Sequence, residues 1–338
     1  MPLKIILSEH GYKISKRDGM LVIYKPDGSK KEVSVGNVSM IMANLKGLSI
    51  SGDALRLMLK HGIQLILLSR DKPIGRIQPM MLRTHVKLRK EQIKAQNDQR
   101  GINIARTIVL NKIQNQIRTL KRLLKLRRGL DFSSMSIVEE LIQKMIAVYK
   151  EVSEEGVEFR GWLISKEAEA SKYYWDAVAK IVPKEIEFTG RRKKYERPED
   201  PLNLSLNYLY TLLMYQVWYA IELSGLDPFI GYLHEDSNRR PSLVMDLMEE
   251  FRQPIVDLPL IARFIKQPRN VQMVDEEGKL TKHFRDELLK IFFNVLEKNV
   301  TFMNRTAPIK AHIRLQPIRL AKYLLGYTDG YKCFNAVI

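Results

Sequence analysis

Three stretches of the 338-residue chain carry side chains of the kind that move protons or bind cations. Only six histidines are present, at positions 10, 61, 85, 234, 283 and 312, and His234 is the one set among groups that would use it. It follows a run of turn-forming and small residues, Gly225-Leu226-Asp227-Pro228-Phe229-Ile230-Gly231-Tyr232-Leu233, and precedes Glu235-Asp236, an acidic pocket in a basic chain. Downstream, Leu243 to Arg252 reads as a helix buried along Leu243, Leu247 and Phe251. Asp246, Glu249 and Arg252 then share an i, i+3, i+6 ridge beside that stripe. Two carboxylates on one ridge repel unless a cation lies near, and Arg252 can serve without any metal. A surface row of salt bridges explains the same pattern. The third stretch is Lys166 to Trp175, where Glu167, Ala170, Ser171 and Tyr174 fall on one helical face. Ala168, Ala170 and Ser171 leave room beside that carboxylate for another helix or a nucleic-acid strand; an exposed Glu near a helix start, favoured by the dipole, is the plainer account.

These residues need elements to hold them. Residues 3 to about 77 read as β: Lys4 to Leu7, Met20 to Tyr24, Glu32 to Val35, Ser39 to Met42 and Gln64 to Leu68 are rich in Ile and Val, with Gly11, Asp18-Gly19, Pro26-Asp27-Gly28 and Gly36-Asn37 between them. One helix interrupts, capped at Ser51-Gly52-Asp53 and ending at Gly62. Pro73, Gly75 and Pro79 read as linker. From about Leu82 the period becomes helical, with Ile113, Ile117, Leu120 and Leu124 on one face of a long helix whose other faces are Lys, Arg, Asn and Gln. Further helices are predicted near 133–152, 163–182, 202–224, 242–252, 258–266, 281–298 and 308–325, with no strand among them; Pro317 must begin or kink the last. The expectation is an α+β chain of two domains: a small antiparallel β N-terminal domain over 1–77, a linker over 78–86 and a larger all-α domain over 87–338.

Composition narrows the partner. Lys and Arg number 56 against 38 Asp and Glu, a net +18, while a 45% apolar share excludes wholesale disorder. Residues 82–128 hold fourteen Lys and Arg against only Glu91 and Asp98, one-sided enough to favour a phosphate-contacting surface over a solvated face. No aromatic residue interleaves them, which points to a duplex backbone rather than stacked single-strand bases. A second basic cluster is the loop Arg191-Arg192-Lys193-Lys194. Cys333 is the sole cysteine, so intrachain disulfides, thiolate zinc clusters and Cys-x-x-Cys redox motifs are excluded, and a reducing cytoplasm fits. The N-terminus lacks a secretory apolar core. Leu202 to Ile221 is uncharged and long enough to span a bilayer, yet Asn203, Ser205, Asn207, Thr211 and Gln216 make it a helix inside a protein.

The segments together, in this order and spacing, resemble the CRISPR-associated spacer integrase, the first and near-universal protein family of the adaptation machinery. The resemblance covers essentially the whole chain. It includes Ile50-Ser51-Gly52-Asp53-Ala54-Leu55 with Gly62-Ile63-Gln64-Leu65, Glu167 with Ala170 and Tyr174-Trp175, and Asp200-Pro201-Leu202-Asn203 leading into Leu206 to Tyr210. It continues with Gly225 to Glu235, Ser242 to Arg252 and Gln316-Pro317-Ile318-Arg319-Leu320-Ala321. The resemblance implies that Glu167, His234 and Glu249 are metal ligands for Mg²⁺ or Mn²⁺, with Asp246 a nearby catalytic acid. It implies phosphodiester transfer, a 3′ hydroxyl of a captured DNA fragment attacking the CRISPR repeat boundary, with metal-dependent nuclease activity when water takes the hydroxyl's place. It further implies a homodimer formed through the β domains and a small ferredoxin-like partner protein. The DNA-contacting candidates are Arg252, Lys87, Arg89, Lys90, Arg191, Arg192, Lys193 and Lys194. Two departures bear on geometry: Ala168 stands where many relatives have Gly, and Glu249 where many have Asp. A non-catalytic DNA-binding scaffold and a structure-specific repair nuclease are the competing readings.

Overall fold

The computed structural model describes residues 3–7, 9–69, 72–78, 86–127, 129–154, 159–191, 200–236, 240–268 and 272–336. Two compact units divide the chain, Met1–Leu82 and Arg83–Ile338. The first contains β1 (Leu3–Leu7), β2 (Lys13–Arg17), β3 (Met20–Tyr24), β4 (Lys30–Ser34), β5 (Val38–Asn44), β6 (Ser49–Ile50), α1 (Gly52–Lys60), β7 (Gln64–Ser69) and β8 (Lys72–Ile77). They form two four-stranded sheets ordered β1-β5-β7-β8 and β4-β3-β2-β6. The sheets are mixed rather than antiparallel throughout: β1, β5 and β7 run parallel, and β6 runs parallel to β2. Parallel neighbours need a long crossover, which the stretch through α1 supplies between β5 and β7. Ser51 caps α1 by accepting the Ala54 N–H at 3.2 Å, and Ile14, Leu21, Ile41, Met58 and Leu65 are fully buried in the core between these elements. Pro73 and Gly75, read above as linker, belong to β8; it is an edge strand, where a residue without an N–H donor is tolerated.

The second unit carries α2 (Val86–Gln96), α3 (Gln99–Leu126), α4 (Phe132–Ser153), α5 (Arg160–Ile181), α6 (Pro201–Ser224), α7 (Ser242–Met248), α8 (Leu258–Lys266), α9 (Lys282–Glu297), β9 (Asn299–Phe302), β10 (Arg305–Pro308) and α10 (Ile309–Leu324). It is not all α. β9 and β10 pair as a hairpin whose loop is Met303-Asn304, at φ +49° and +58°, the left-handed pair that a two-residue hairpin turn requires. Pro317 lies inside α10, not at its start.

α3 is the axle. Its 28 residues span about 42 Å, and α4 and α5 pack along it. Ile113 and Leu120 are buried as their spacing predicts, but so are Asn111, Lys112, Asn115, Gln116 and Thr119 on the other side, so the polar face is interior as well. The α2–α3 corner is tight: a Cβ on Gly101 would come within 2.3 Å of the Ala95 carbonyl oxygen. Several cations of the 82–128 run serve the fold. Arg106 donates to the Val152 and Ser153 carbonyls at the end of α4, Arg127 to Ile181 O at the end of α5, and Arg100 to Leu324 O at the end of α10. Each places a fixed positive charge on the negative end of a helix dipole. Among the described residues no helix is long and apolar enough to cross a membrane; α6 buries Asn203, Ser205 and Gln216.

Candidate active site

Asp246 organises the loop that presents His234. It is fully buried, and its two oxygens accept the backbone N–H groups of Tyr232 (2.5 Å), Leu233 (3.0 Å) and His234 (2.9 Å). Oδ1 also lies 2.7 Å from His234 Nδ1. A carboxylate there keeps the proton on Nδ1 and leaves Nε2 as the lone-pair nitrogen facing away from Asp246, the arrangement that orients imidazole ligands. The loop comes this close because residue 231 is glycine; a Cβ would stand 2.8 Å from Ser242 Cβ and 2.9 Å from Asp246 Oδ2. From the other side Gln92 of α2 fastens the loop, donating to the Asp227 and Ile230 carbonyls at 2.9 Å each and accepting the Asp227 N–H at 2.8 Å. Gln96 donates to Gly231 O at 2.8 Å.

Glu167 and Glu249 meet across Lys112. Glu167, on α5, has its Oε1 bound by the Lys112 ammonium and by Ser171 Oγ at 2.9 Å, and Ser171 in turn accepts from Gln116 Nε2 at 3.2 Å. Lys112 Nζ also lies 2.8 Å from Glu249 Oε2, although no hydrogen bond is directed at that buried oxygen. Arg252 Nη1 stands 3.3 Å from Glu249 Oε1, and its guanidinium lies over the Tyr210 ring at 5.0 Å. Burial alone would raise the Glu249 pKa, but Arg252 and Lys112 outweigh it and hold the carboxyl below its ordinary value. Burial likewise works against the Lys112 charge, and Glu167 and Glu249 overcome it, keeping the ammonium protonated.

The expected helix over 242–252 stops at Met248, which lifts Glu249 out of the ridge and into the interior. α7 tightens into a 3₁₀ turn, with Glu249 N–H donating to Asp246 O and Phe251 N–H to Met248 O, and a π-helical stretch, Arg252–Asp257, follows. Pro254 has no N–H for the Glu250 carbonyl four residues back; Asn115 Nδ2 of α3 reaches it instead at 3.3 Å. The surface salt-bridge row is thereby excluded: Asp246 and Glu249 are 0% and 1% exposed. Asp257, at the end of the π stretch, accepts the hydroxyls of Tyr210 (2.5 Å) and Tyr174 (3.0 Å), and burial pushes its carboxyl up to about 6.

Glu167 and Glu249 thus meet on Lys112 of α3, while Asp246 and the α2 glutamines hold the loop that carries His234; Glu167 and His234 are partly open to solvent. Asp246 is a positioning residue, all of its acceptor directions being taken by the His234 loop. Arg252, expected on DNA, turns inward to Glu249 and Tyr210. Arg191 donates to Asn203 Oδ1 (2.6 Å) and Asn207 Oδ1 (3.0 Å) and lies over Trp175 and Tyr210. Arg192, Lys193 and Lys194 lie outside the described residues. Lys87, Arg89 and Lys90 are exposed on α2. Sequence reasoning missed Lys112, Asn115, Gln116 and Gln92. A signal existed for Gln92, which shares the i, i+4, i+7 face of Leu88 and Ala95. Lys112 carried none, one lysine among fourteen cations.

Carboxylate oxygens with one imidazole are donors that Mg²⁺ and Mn²⁺ accept, and Glu249 Oε2, now paired with the Lys112 ammonium, and Nε2 of His234 are suitable for that role. Among the described residues, however, no three His, Cys, Asp or Glu side chains stand close enough to hold one ion. An ammonium bridges oxygens at about 2.8 Å where Mg²⁺ needs about 2.1 Å, so with Lys112 between them the carboxylates stand too far apart.

Comparison with known proteins bears on this arrangement. The chain is 30% identical over 341 residues to the CRISPR-associated endonuclease Cas1 1 of Archaeoglobus fulgidus, covering 96% of this chain and 97% of that protein. It is 33% identical over 259 residues to the CRISPR-associated protein Cas1 3 of Methanobrevibacter ruminantium, covering 75% and 76%. Among solved structures the fold matches a casposase bound to integration product (TM-score 0.83, 24% identity, 99% and 93% coverage). It also matches a Cas1 protein from Thermotoga maritima (TM-score 0.78, 22% identity, 97% and 99% coverage). The family model described as CRISPR associated protein Cas1 matches residues 5–298, which with these relatives places the chain in the Cas1 family.

Proposed function

We propose that the chain is a divalent-metal-dependent DNA integrase of CRISPR adaptation. It would join the 3′ hydroxyl of a captured fragment to a phosphodiester at the repeat, and cut DNA when water replaces that hydroxyl. The observation carrying this reading is the pair of carboxylates from different elements, Glu167 and Glu249, brought onto one buried cation, in a unit that also holds the imidazole of His234 on buried Asp246. Glu167, His234 and Glu249 would hold Mg²⁺ or Mn²⁺, which when bound supplies a Lewis acid for the phosphate and lowers the pKa of the attacking hydroxyl. Arg252, fixed against Glu249 and Tyr210, adds a permanent positive charge behind the site for the developing phosphorane.

A basic groove supports DNA as the substrate. It encloses about 430 Å³, and Arg122, Lys125, Lys266 and Lys298 line it over an apolar floor of Leu258, Pro259 and Val295. Lys125 lies thirteen residues beyond Lys112 on α3, about 20 Å along the helix, so one rigid element carries both the groove and the site. The homodimer and the small ferredoxin-like partner belong to this reading; a fold match at TM-score 0.78 and 18% identity is a Cas6-RT-Cas1–Cas2 complex, in which Cas1 occurs together with Cas2. An enzyme acting on intracellular DNA would work in the cytoplasm. The test is strand transfer of a short duplex with free 3′ hydroxyls into a repeat-containing plasmid, with Mn²⁺, Mg²⁺ or EDTA and with or without the partner. Products that need metal and vanish in His234→Ala are expected. Products that survive EDTA or His234→Ala would sink the reading, and DNA binding with no product under any condition would favour the scaffold.

A further inference from the structure

We infer that Lys112 is the built-in counter-ion of Glu167 and Glu249, and that a divalent cation must displace its ammonium in order to occupy the site. The inference rests on the metal site proposed above. The ammonium touches Glu167 Oε1 and stands 2.8 Å from Glu249 Oε2, on a side chain only 8% exposed. With Arg252 on Glu249, two carboxylates and two cations sum to zero charge before any ion enters. Counting the buried Asp246 carboxylate as well, a dication arriving with both still in place would leave a buried excess of one positive charge, which the departure of one cation cancels.

One cation must therefore leave, and the two are held differently. Arg252 is fastened to Glu249 and lies over Tyr210, with its Nε buried. Among the described residues the Lys112 ammonium is held by the two carboxylates alone, on a flexible four-carbon stem. A swing of that stem frees its contacts with Glu167 and with Glu249 Oε2 together, whereas Arg252 is also stacked on an aromatic ring. Lys112 thus keeps the carboxylates from repelling each other in the metal-free protein, and it sets a threshold that only a cation of higher charge density crosses.

The test is a Mn²⁺ titration of the full chain, read by the electron paramagnetic resonance signal of free Mn²⁺, on wild type, Lys112→Met and Lys112→Gln. Removing the competitor is expected to tighten Mn²⁺ binding at least tenfold, about 1.4 kcal/mol. Equal or weaker binding by the variants overturns the inference. A measurement on unmutated protein covers the case in which the variants fail to fold: acetylation of Lys112 by an activated ester, followed by mass spectrometry, is expected to rise several-fold when Mn²⁺ is added, and an unchanged or falling rate overturns it. Binding without an effect of Lys112 sinks this inference alone, whereas no Mn²⁺ binding by wild type or either variant sinks the metal site with it.

Discussion

Asp246→Asn exchanges one oxygen for an NH₂ group at nearly constant volume, and the environment of Asp246 makes that exchange expensive. Its oxygens face only donors: Oδ2 the N–H groups of Tyr232 and Leu233, Oδ1 the N–H and the Nδ1 of His234. Whichever way the amide turns, its NH₂ opposes two of these four. A hydrogen bond to a charged acceptor contributes about 1.5–3 kcal/mol, so losing two at the lower end costs about 3 kcal/mol. For a unit of this size that corresponds to a fall in melting temperature of about 6–12 °C, read by calorimetry or circular dichroism. The same change releases the Nδ1 proton that fixes His234, and loss of such an outer partner typically weakens metal binding about 10- to 100-fold. Mn²⁺ titration of the folded variant reads that second effect separately. An Asn variant with the wild-type melting temperature and wild-type Mn²⁺ affinity would refute the role assigned to Asp246.

Gly231→Ala places a methyl 2.8–2.9 Å from Ser242 and Asp246, so strand transfer should fall at least about tenfold as His234 shifts, with helical content unchanged; full activity would contradict the packing. Asp257 gives a pH signature. Its folded pKa, about 6, lies above the ordinary 3.8, so its contribution to stability is complete below about 3.8 and is lost as pH rises through 6. Urea midpoints from pH 4 to 7 should show wild type losing about 2 kcal/mol more than Asp257→Asn, and parallel profiles would exclude it. In the groove, Lys125→Ala and Lys298→Ala should each reduce the slope of log K for duplex binding against log salt by about 0.9, and an unaltered slope would remove that lysine from the DNA path.

The parts of the chain legible in sequence were those where local chemistry and tertiary need coincide. Ser51 signals its helix because the cap is made by its own side chain. Glu167, His234 and Glu249 are singled out by the family resemblance; by type alone Glu167 reads as an exposed carboxylate near a helix start. What stayed hidden depends on partners remote in sequence. Asp246 reads as a second acid on the Glu249 ridge until the loop from Gly231 to His234 is seen folded onto it. The helix end at Met248 is unreadable because the Glu250 carbonyl freed by Pro254 is satisfied by Asn115, 135 residues earlier in the chain. The charge of 82–128 overstated the nucleic-acid surface, since Arg100, Arg106 and Arg127 bind helix ends and Lys112 sits inside the site. Pro73 and Gly75 resemble linker residues because edge strands tolerate the same chemistry.

The most direct measurement is an anomalous-scattering map of a crystal soaked in Mn²⁺. The expected result is a peak within bonding distance of His234 Nε2 and of carboxylate oxygens of Glu167 and Glu249, with the Lys112 ammonium moved out from between them. A map in which Lys112 still bridges both carboxylates and Mn²⁺ lies elsewhere, or is absent, would contradict the assignment of this cluster as the metal centre.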